Sequence, residues 1–182
     1  MEAERTGSKT FEIVSAAVMV AIIAVLSQIA VPMPSGVPVT LQTFAIALCA
    51  YFLEVRYSVL AVIVYVLLGL VGVPVFANFG AGPARLFGVT GGFIWGFILL
   101  ALCCSFAMRS KKTAVRLGFG ILGLFLCHLC GIIQFTVISN GTFLSSALLV
   151  SVPYLIKDIL SVVLAFFISL RLHAAVARIR KP

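Results

Sequence analysis

Charged residues are scarce in this chain, and most of them lie between long apolar runs. Only 10% of the 182 residues are charged, whereas 63% are hydrophobic, and the mean hydropathy is +1.25. A soluble domain of this length needs more polar surface, so the solvent that suits the chain is bilayer lipid. Two charges, Lys157 and Asp158, fall inside an apolar run. Because charge in hydrocarbon is costly, this pair predicts a functional site.

The apolar runs predict an all-α integral membrane protein. We expect a single domain, residues 1–182, with six transmembrane helices at approximately residues 11–31, 41–53, 59–71, 92–108, 117–139 and 147–170. The second and third runs are shorter than the roughly 20 residues that a spanning helix usually needs. Short helices at membrane depth require shielding by protein or by a cavity.

The basic residues predict the orientation of these spans. With six spans, eleven of the 13 lysines and arginines fall on one side: Arg5, Lys9, Arg56, Arg109, Lys111, Lys112, Arg116, Arg171, Arg178, Arg180 and Lys181. Arg85 alone falls on the other side, and Lys157 lies within the sixth span. Because cytoplasmic loops are enriched in basic residues, we expect a multi-pass protein of the plasma membrane with both termini in the cytoplasm. The same asymmetry explains the net charge of +8 without a nucleic-acid partner.

Two segments between the predicted helices are rich in proline and glycine. Residues 32–40 contain three prolines and one glycine, a composition that suits either a stiff lid or an ordinary turn. Residues 72–92 form a long apolar loop on the outer side, and such loops are usually functional. Its phenylalanines, including Phe79, could cap an apolar ligand, and Arg85 could meet a carboxylate. The alternative is an interfacial segment with one snorkelling arginine.

Four stretches of the sequence carry a family resemblance. They are VPVTLQT at 37–43, LGLVGVPVFA at 68–77, GVTGG at 88–92 and PYLIKD at 153–158. Together they resemble the BioY family, the biotin-binding S components of energy-coupling factor transporters. The resemblance implies a six-helix S-component fold and high-affinity capture and uptake of biotin.

The chain departs from the family pattern near Asp158. The family usually reads Pro-Gly-Asp-x-x-Lys, but Ser161 stands here where that lysine is expected. The neighbouring Lys157 is expected to point about 100° away from Asp158 around an ideal helix.

The resemblance implies a biotin site near the outer leaflet. Asp158 could accept hydrogen bonds from the urea N–H groups of biotin, and Arg85 or Lys157 could pair with its carboxylate. The other candidate substrate contacts are Thr40, Gln42, Asn78, Phe79 and Tyr154. An ion pair that only packs helices is the alternative for Lys157 and Asp158.

Small residues on the first span suggest a second surface. Ala17 and Ala21 are four residues apart, a spacing that lets helices approach closely in lipid. The resemblance implies that the transmembrane coupling subunit docks here, although internal packing would explain the same residues. Since the sequence has no Gly-x-x-x-x-Gly-Lys-Ser/Thr motif, ATP hydrolysis would be supplied by partner ATPase subunits.

Residues 127–130 read Cys-His-Leu-Cys, a spacing that suits metal or redox chemistry. Because they lie inside an apolar run, we favour buried cysteines and a packing role for His128 over a metal site or an intramembrane enzyme. No catalytic triad or paired carboxylates occur, so we expect neither catalysis nor a cofactor besides the transported biotin.

The sequence is also compatible with one alternative function. A secondary transporter or permease for a small carboxylated vitamin, driven by an ion gradient, could use Asp158 as its proton site. Such proteins usually contain inverted repeats with broken helices in both halves. The two halves of this sequence do not match each other in that way.

Overall fold

The structure is a computed structural model that describes residues 2–179, with side chains from residue 9 to residue 178. Arg180 and Lys181, which belong to the basic residues predicted on the cytoplasmic side, lie outside the described residues. The side chain of Arg5 does so as well.

Helices dominate the described part of the chain. They are α1 (Glu2–Ser27), α2 (Gln42–Phe52), α3 (Val55–Leu70), α4 (Pro83–Phe87), α5 (Gly91–Ala107), α6 (Thr113–Ser139), α7 (Phe143–Val150) and α8 (Val152–Ile179). Two short strands, β1 (Ala30–Val31) and β2 (Val39–Thr40), form a hairpin, and a 3₁₀ turn covers Ala77–Phe79. The predominantly helical class that the apolar runs predicted is confirmed.

Within the described residues, three helices are long and apolar enough to cross a membrane. They are α1 from Lys9 onwards, α6, and α8 as far as Arg178. The helices α2, α3 and α5 are also apolar but contain only 11, 16 and 17 residues. Each of the six predicted spans overlaps at least one of these helices.

The helices differ in extent from the predicted spans at the first and sixth apolar runs. Helix α1 ends at Ser27 because residues 30–31 pair with β2 instead of continuing the helix. The run at 147–170 is divided at Ser151, whose φ of −124° and ψ of −58° interrupt the helical path between α7 and α8. Pro153 then lies in the first turn of α8, where its missing N–H costs no helical hydrogen bond.

Helix α2 is short and lies in the interior. Nine of its eleven residues are buried, and it packs against α1, α3, α5 and α8. Such shielding makes a short helix tolerable at membrane depth. The arrangement holds the start of α2, with Thr40 and Gln42, inside the protein.

Helices α5 and α6 approach each other through glycines. A Cβ atom on Gly96 would lie 2.7 Å from the Cα of Cys127, and one on Gly123 would lie 2.7 Å from the Cβ of Cys103. Small residues of this kind allow close backbone contact between helices in lipid. The contact fixes the middle of α6, including His128, against the core.

The α1–α2 hairpin comprises residues 30–40. Ala30 pairs with Thr40 and Val31 with Val39 in antiparallel register. Gly36 turns the connecting segment with a φ of +79°, a conformation that favours glycine.

The segment 72–92, predicted as a long loop, contains regular structure. It includes the 3₁₀ turn and α4. The Gln134 side chain of α6 donates to the carbonyl oxygens of Leu86 and Gly88, both at 2.8 Å. The end of the segment is thereby fastened to the helices.

Candidate functional site

Asp158 lies on α8 with only 4% of its surface exposed. Its Oδ2 is 3.2 Å from Nε2 of His128, and its Oδ1 is 2.5 Å from Nζ of Lys157. A carboxylate at such a position needs charged or hydrogen-bonding partners. The structure supplies one partner from α6 and one from the neighbouring residue.

Ideal helix geometry predicted that Lys157 would point away from Asp158, but in the structure its ammonium contacts the carboxylate. The Cα–Cβ bonds of adjacent residues diverge, but the flexible four-carbon stem of lysine brings its ammonium back to the carboxylate. The same Nζ donates a hydrogen bond to the Thr40 carbonyl oxygen at 2.8 Å. Lys157 therefore joins α8 to the α1–α2 hairpin.

Tyr154 forms a second connection between α8 and the hairpin. Its hydroxyl donates to the Val37 carbonyl oxygen at 2.5 Å and lies 3.0 Å from the Ser35 hydroxyl. Tyr154 and Val37 also belong to one buried apolar cluster. The first turns of α8 thus contact the hairpin through two hydrogen bonds, one from the Tyr154 hydroxyl and one from the Lys157 ammonium.

A small cavity lies beneath the hairpin. Its volume is about 50 Å³, and its lining consists of Val37, Pro38, Thr40, Gln42, Phe76, Ala77, Arg85, Thr90 and Ile94. Three of the predicted substrate contacts, Thr40, Gln42 and Arg85, meet here. Among the described residues, no acceptor bonds the Arg85 guanidinium, so this cation is available to an anion.

Asn78 and Phe79 lie on the outside of this region. Both have left-handed backbone conformations, with φ of 55° and 54°, and Phe79 is 72% exposed. The amide N–H of Phe79 donates to Oε1 of Gln28 at 2.8 Å, which ties this turn to the end of α1. Left-handed phenylalanine is rare, and such strain often marks functional segments.

A buried polar network supports the cavity wall at Gln42. The side-chain Nε2 of Gln42 donates to the Tyr65 hydroxyl at 2.5 Å, and that hydroxyl donates to the Val75 carbonyl oxygen at 3.1 Å. The Ser27 hydroxyl lies 3.0 Å from the same phenol oxygen. We did not predict Tyr65 or Ser27 from the sequence, although both are polar residues within apolar runs.

His128 and Ser151 were not among the predicted site residues, but the structure links them to Asp158. His128 is 4% exposed, and its Nδ1 lies 2.9 Å from the Ser151 hydroxyl while Nε2 faces Asp158. It was expected to be a packing residue with satisfied hydrogen bonds, and its contact with Asp158 was not foreseen. The signal that could have indicated this contact was an ionisable side chain within an apolar run.

The cysteines near His128 have other neighbours. The Cys127 thiol lies 3.6 Å from the Phe93 carbonyl oxygen, as expected for a buried thiol acting as a weak donor. Within the part of the chain that the structure describes, no group of three or more His, Cys, Asp or Glu side chains could hold a metal ion.

Ala17 and Ala21 are exposed on the outer face of α1. Their neighbours Ala16, Met19 and Ile23 face the core instead. The two alanines therefore do not take part in the internal packing that was the alternative explanation for them.

The sequence of this chain is similar to those of known proteins. The BioY family model matches residues 1–178. The biotin transporter BioY of Thermotoga maritima is 38% identical over 88% of this chain and 95% of its own length. The biotin transporter BioY2 of Lactococcus lactis subsp. cremoris is 32% identical over 96% of both chains.

A solved structure has the same fold. It is the S-component for biotin from an ECF-type ABC transporter, with a TM-score of 0.85 and 23% identity over 92% of this chain and 93% of that chain. The resemblance that the four sequence stretches carried is confirmed, and the chain belongs to the BioY family.

Proposed function

We propose that this chain captures biotin with high affinity and supports its uptake as the substrate-binding S component of an energy-coupling factor transporter. The observation that carries the proposal is the contact of the partly exposed Lys157 with the buried Asp158 carboxylate, next to the hairpin that covers a cavity. Membership of a family whose relatives are biotin transporters identifies the ligand class. Biotin offers urea N–H donors, an apolar ring system and a carboxylate.

Different polar residues bind different groups of the ligand. Asp158 accepts hydrogen bonds from the urea N–H groups, and Arg85 pairs with the carboxylate in a bidentate manner. Lys157 neutralises Asp158 before the ligand arrives. The remaining polar and aromatic contacts come from Thr40, Gln42, Asn78, Phe79 and Tyr154.

Ligand binding requires the hairpin to move. Ligand pockets usually enclose about 300–1,000 Å³, far more than the cavity of about 50 Å³ under the hairpin. The hairpin is held by Lys157 and Tyr154. A urea group that bonds Asp158 competes with Lys157, so capture of the ligand and release of one hairpin contact are coupled.

The membrane arrangement that fits this function has six spans in one domain, residues 1–182. The spanning helices are α1, α2, α3, α5, α6 and α8, with both termini in the cytoplasm and the hairpin on the outer side of the plasma membrane. The cation asymmetry of the loops supports this orientation. Reporter fusions at both termini test it, and an external signal from either terminus contradicts it.

Transport requires partners. The exposed alanines of α1, Ala17 and Ala21, provide a smooth surface on which the transmembrane coupling subunit docks. ATPase subunits attached to that partner supply the hydrolysis for which this sequence has no motif.

Equilibrium binding tests the substrate. The purified full-length chain in lipid nanodiscs is titrated with radiolabelled biotin in the absence of ATP, and unlabelled thiamine and lipoate serve as competitors. We expect saturable biotin binding that neither competitor displaces. No biotin binding, or tighter binding of another vitamin, would show that the substrate is wrong.

Reconstitution tests the mode of transport. We expect biotin uptake into proteoliposomes that depends on co-reconstituted coupling and ATPase subunits and on ATP. Uptake by the chain alone under an imposed proton gradient would instead support a secondary transporter.

A further inference from the structure

We propose that His128 is a positioning residue for Asp158. In this arrangement the imidazole holds Oδ2 of the carboxylate and leaves Oδ1 as the oxygen that receives the ligand. The proposal deepens the proposed function and rests on it for the identity of the ligand.

The hydrogen-bond geometry assigns the proton on the ring. Nε2 of His128 faces Oδ2 of Asp158 at 3.2 Å, and Nδ1 faces the Ser151 hydroxyl at 2.9 Å. A carboxylate only accepts hydrogen bonds, and a neutral imidazole carries one N–H. In a neutral ring the proton therefore resides on Nε2, and Ser151 donates to Nδ1.

The His128 ring thus contacts two residues near the start of α8, Ser151 and Asp158. Ser151 immediately precedes α8, and Asp158 lies seven residues later, or about two helical turns. The edge of the His128 ring meets Phe93 of α5, with centroids 5.6 Å apart and the planes at 90°. Packing from α5 and hydrogen bonds to α8 leave the imidazole little freedom to turn.

The two oxygens of Asp158 differ in what they can still accept. Oδ2 is engaged by His128. Oδ1 accepts no well-directed hydrogen bond among the described residues, although the Lys157 ammonium lies 2.5 Å away and the Thr43 side chain also neighbours the carboxylate. Because a carboxylate oxygen can accept about two hydrogen bonds, Oδ1 retains acceptor capacity for a ligand N–H.

Variants of His128 test this role through affinity. In His128→Ala the carboxylate loses its fixed partner, and we expect biotin binding to weaken by about ten- to a hundredfold. His128→Gln keeps an N–H donor near the position of Nε2, and we expect it to recover most of the affinity. His173→Ala is the matched control, because the ring of His173 bonds the Ser169 carbonyl oxygen of its own helix and packs on Phe52, with no contact to Asp158 among the described residues.

A double-mutant comparison separates positioning from general packing. If His128 acts through Asp158, His128→Gln and His128→Ala bind biotin equally in an Asp158→Ala background, since no acceptor remains at position 158 to distinguish them. The same difference between Gln and Ala in both backgrounds overturns the proposal. Equal losses in the two single variants overturn it as well.

Nitrogen-15 NMR of the imidazole rings gives a readout that needs no ligand. The chain contains two histidines, so His173→Ala assigns both ring systems. We expect a neutral Nε2–H tautomer for His128 whose Nε2 resonance shifts in Asp158→Asn. A proton on Nδ1 alone, or a resonance unaffected by Asp158→Asn, refutes the positioning role. If the parent chain shows the expected tautomer but does not bind biotin, the proposed substrate fails while the His128–Asp158 relationship stands.

Discussion

The Lys157 ammonium donates to the Thr40 carbonyl oxygen across 2.8 Å and simultaneously contacts Oδ1 of Asp158. One cation therefore connects the buried carboxylate of α8 to the last residue of the hairpin. A change at either partner is transmitted to the other through a single side chain.

Asp158→Asn tests the carboxylate. The amide keeps the size and one acceptor but loses the charge, and charge-assisted hydrogen bonds contribute about 1.5–3 kcal/mol each. We expect biotin affinity to fall by about ten- to a hundredfold, measured by titration calorimetry, with the helical circular dichroism spectrum unchanged. Glu54→Gln removes a carboxylate at the exposed start of α3 and should bind like the parent. Parental affinity in Asp158→Asn would remove this residue from the site.

Lys157→Met tests the tether between α8 and the hairpin. Methionine retains an apolar stem of similar reach but cannot donate to Thr40. We expect faster amide hydrogen exchange in residues 37–41, measured by mass spectrometry, because the hairpin opens more often. Lys112→Met, which changes an exposed lysine between α5 and α6, should leave that exchange unchanged. Unaltered exchange in Lys157→Met would mean that Tyr154 and the strand pairing hold the hairpin without Lys157.

Tyr154→Phe removes the other hairpin contact. The variant loses the hydrogen bond to the Val37 carbonyl oxygen, and a typical bond of this kind contributes about 1 kcal/mol. We expect hydrogen exchange near Val37 to accelerate by roughly fivefold, with Tyr57→Phe as a control that leaves the hairpin contacts intact. Slower exchange than in the parent would contradict the assigned contact.

Ala17→Trp and Ala21→Trp test the docking surface. Both alanines are exposed, so a large side chain fits the isolated chain but obstructs an approaching helix. We expect biotin binding at the parental level and uptake reduced by about tenfold or more in the complete transporter. Leu122→Trp, at an exposed position of α6, is the control. Loss of binding together with uptake would contradict a surface used only for docking.

Gly96→Ala tests the contact between α5 and α6. The added methyl group would lie 2.7 Å from the Cys127 Cα, and such overpacking usually costs about 1–3 kcal/mol. We expect a lower unfolding temperature in detergent, followed by intrinsic fluorescence of Trp95. Gly118→Ala has open space around the new Cβ and should be neutral or stabilising. Equal unfolding temperatures for the two variants would show that the helices separate readily at Gly96.

The helices were predictable because long apolar runs and clustered charges are properties of local sequence. Their boundaries were less so. Helix α1 stops at Ser27, and the residues that follow pair with β2, Ala30 with Thr40. This pairing is a tertiary effect that no single run of residues encodes. The break at Ser151 lies just before Pro153, in the first turn of α8, but the apolar run hides it.

The site was predictable in part. The ionisable pair on α8 stood out from its apolar surroundings, and Thr40, Gln42 and Arg85 converge on one cavity. The predicted direction of the Lys157 side chain was wrong because helix geometry fixes only the position of its Cβ atom, and the rest of the side chain is free to turn towards Asp158. The contact of His128 with Asp158 was not predicted because nothing in α6 alone indicates which helix its ring faces.

The hairpin over the cavity of about 50 Å³ also has a kinetic consequence. A site that must open before it fills cannot load at the diffusion limit. At high ligand concentration the observed association rate would level off at the opening frequency of the hairpin. A chain built in this way would retain its cargo by slow dissociation, so that its residence time, more than its speed of capture, would determine how long a loaded molecule waits for a partner.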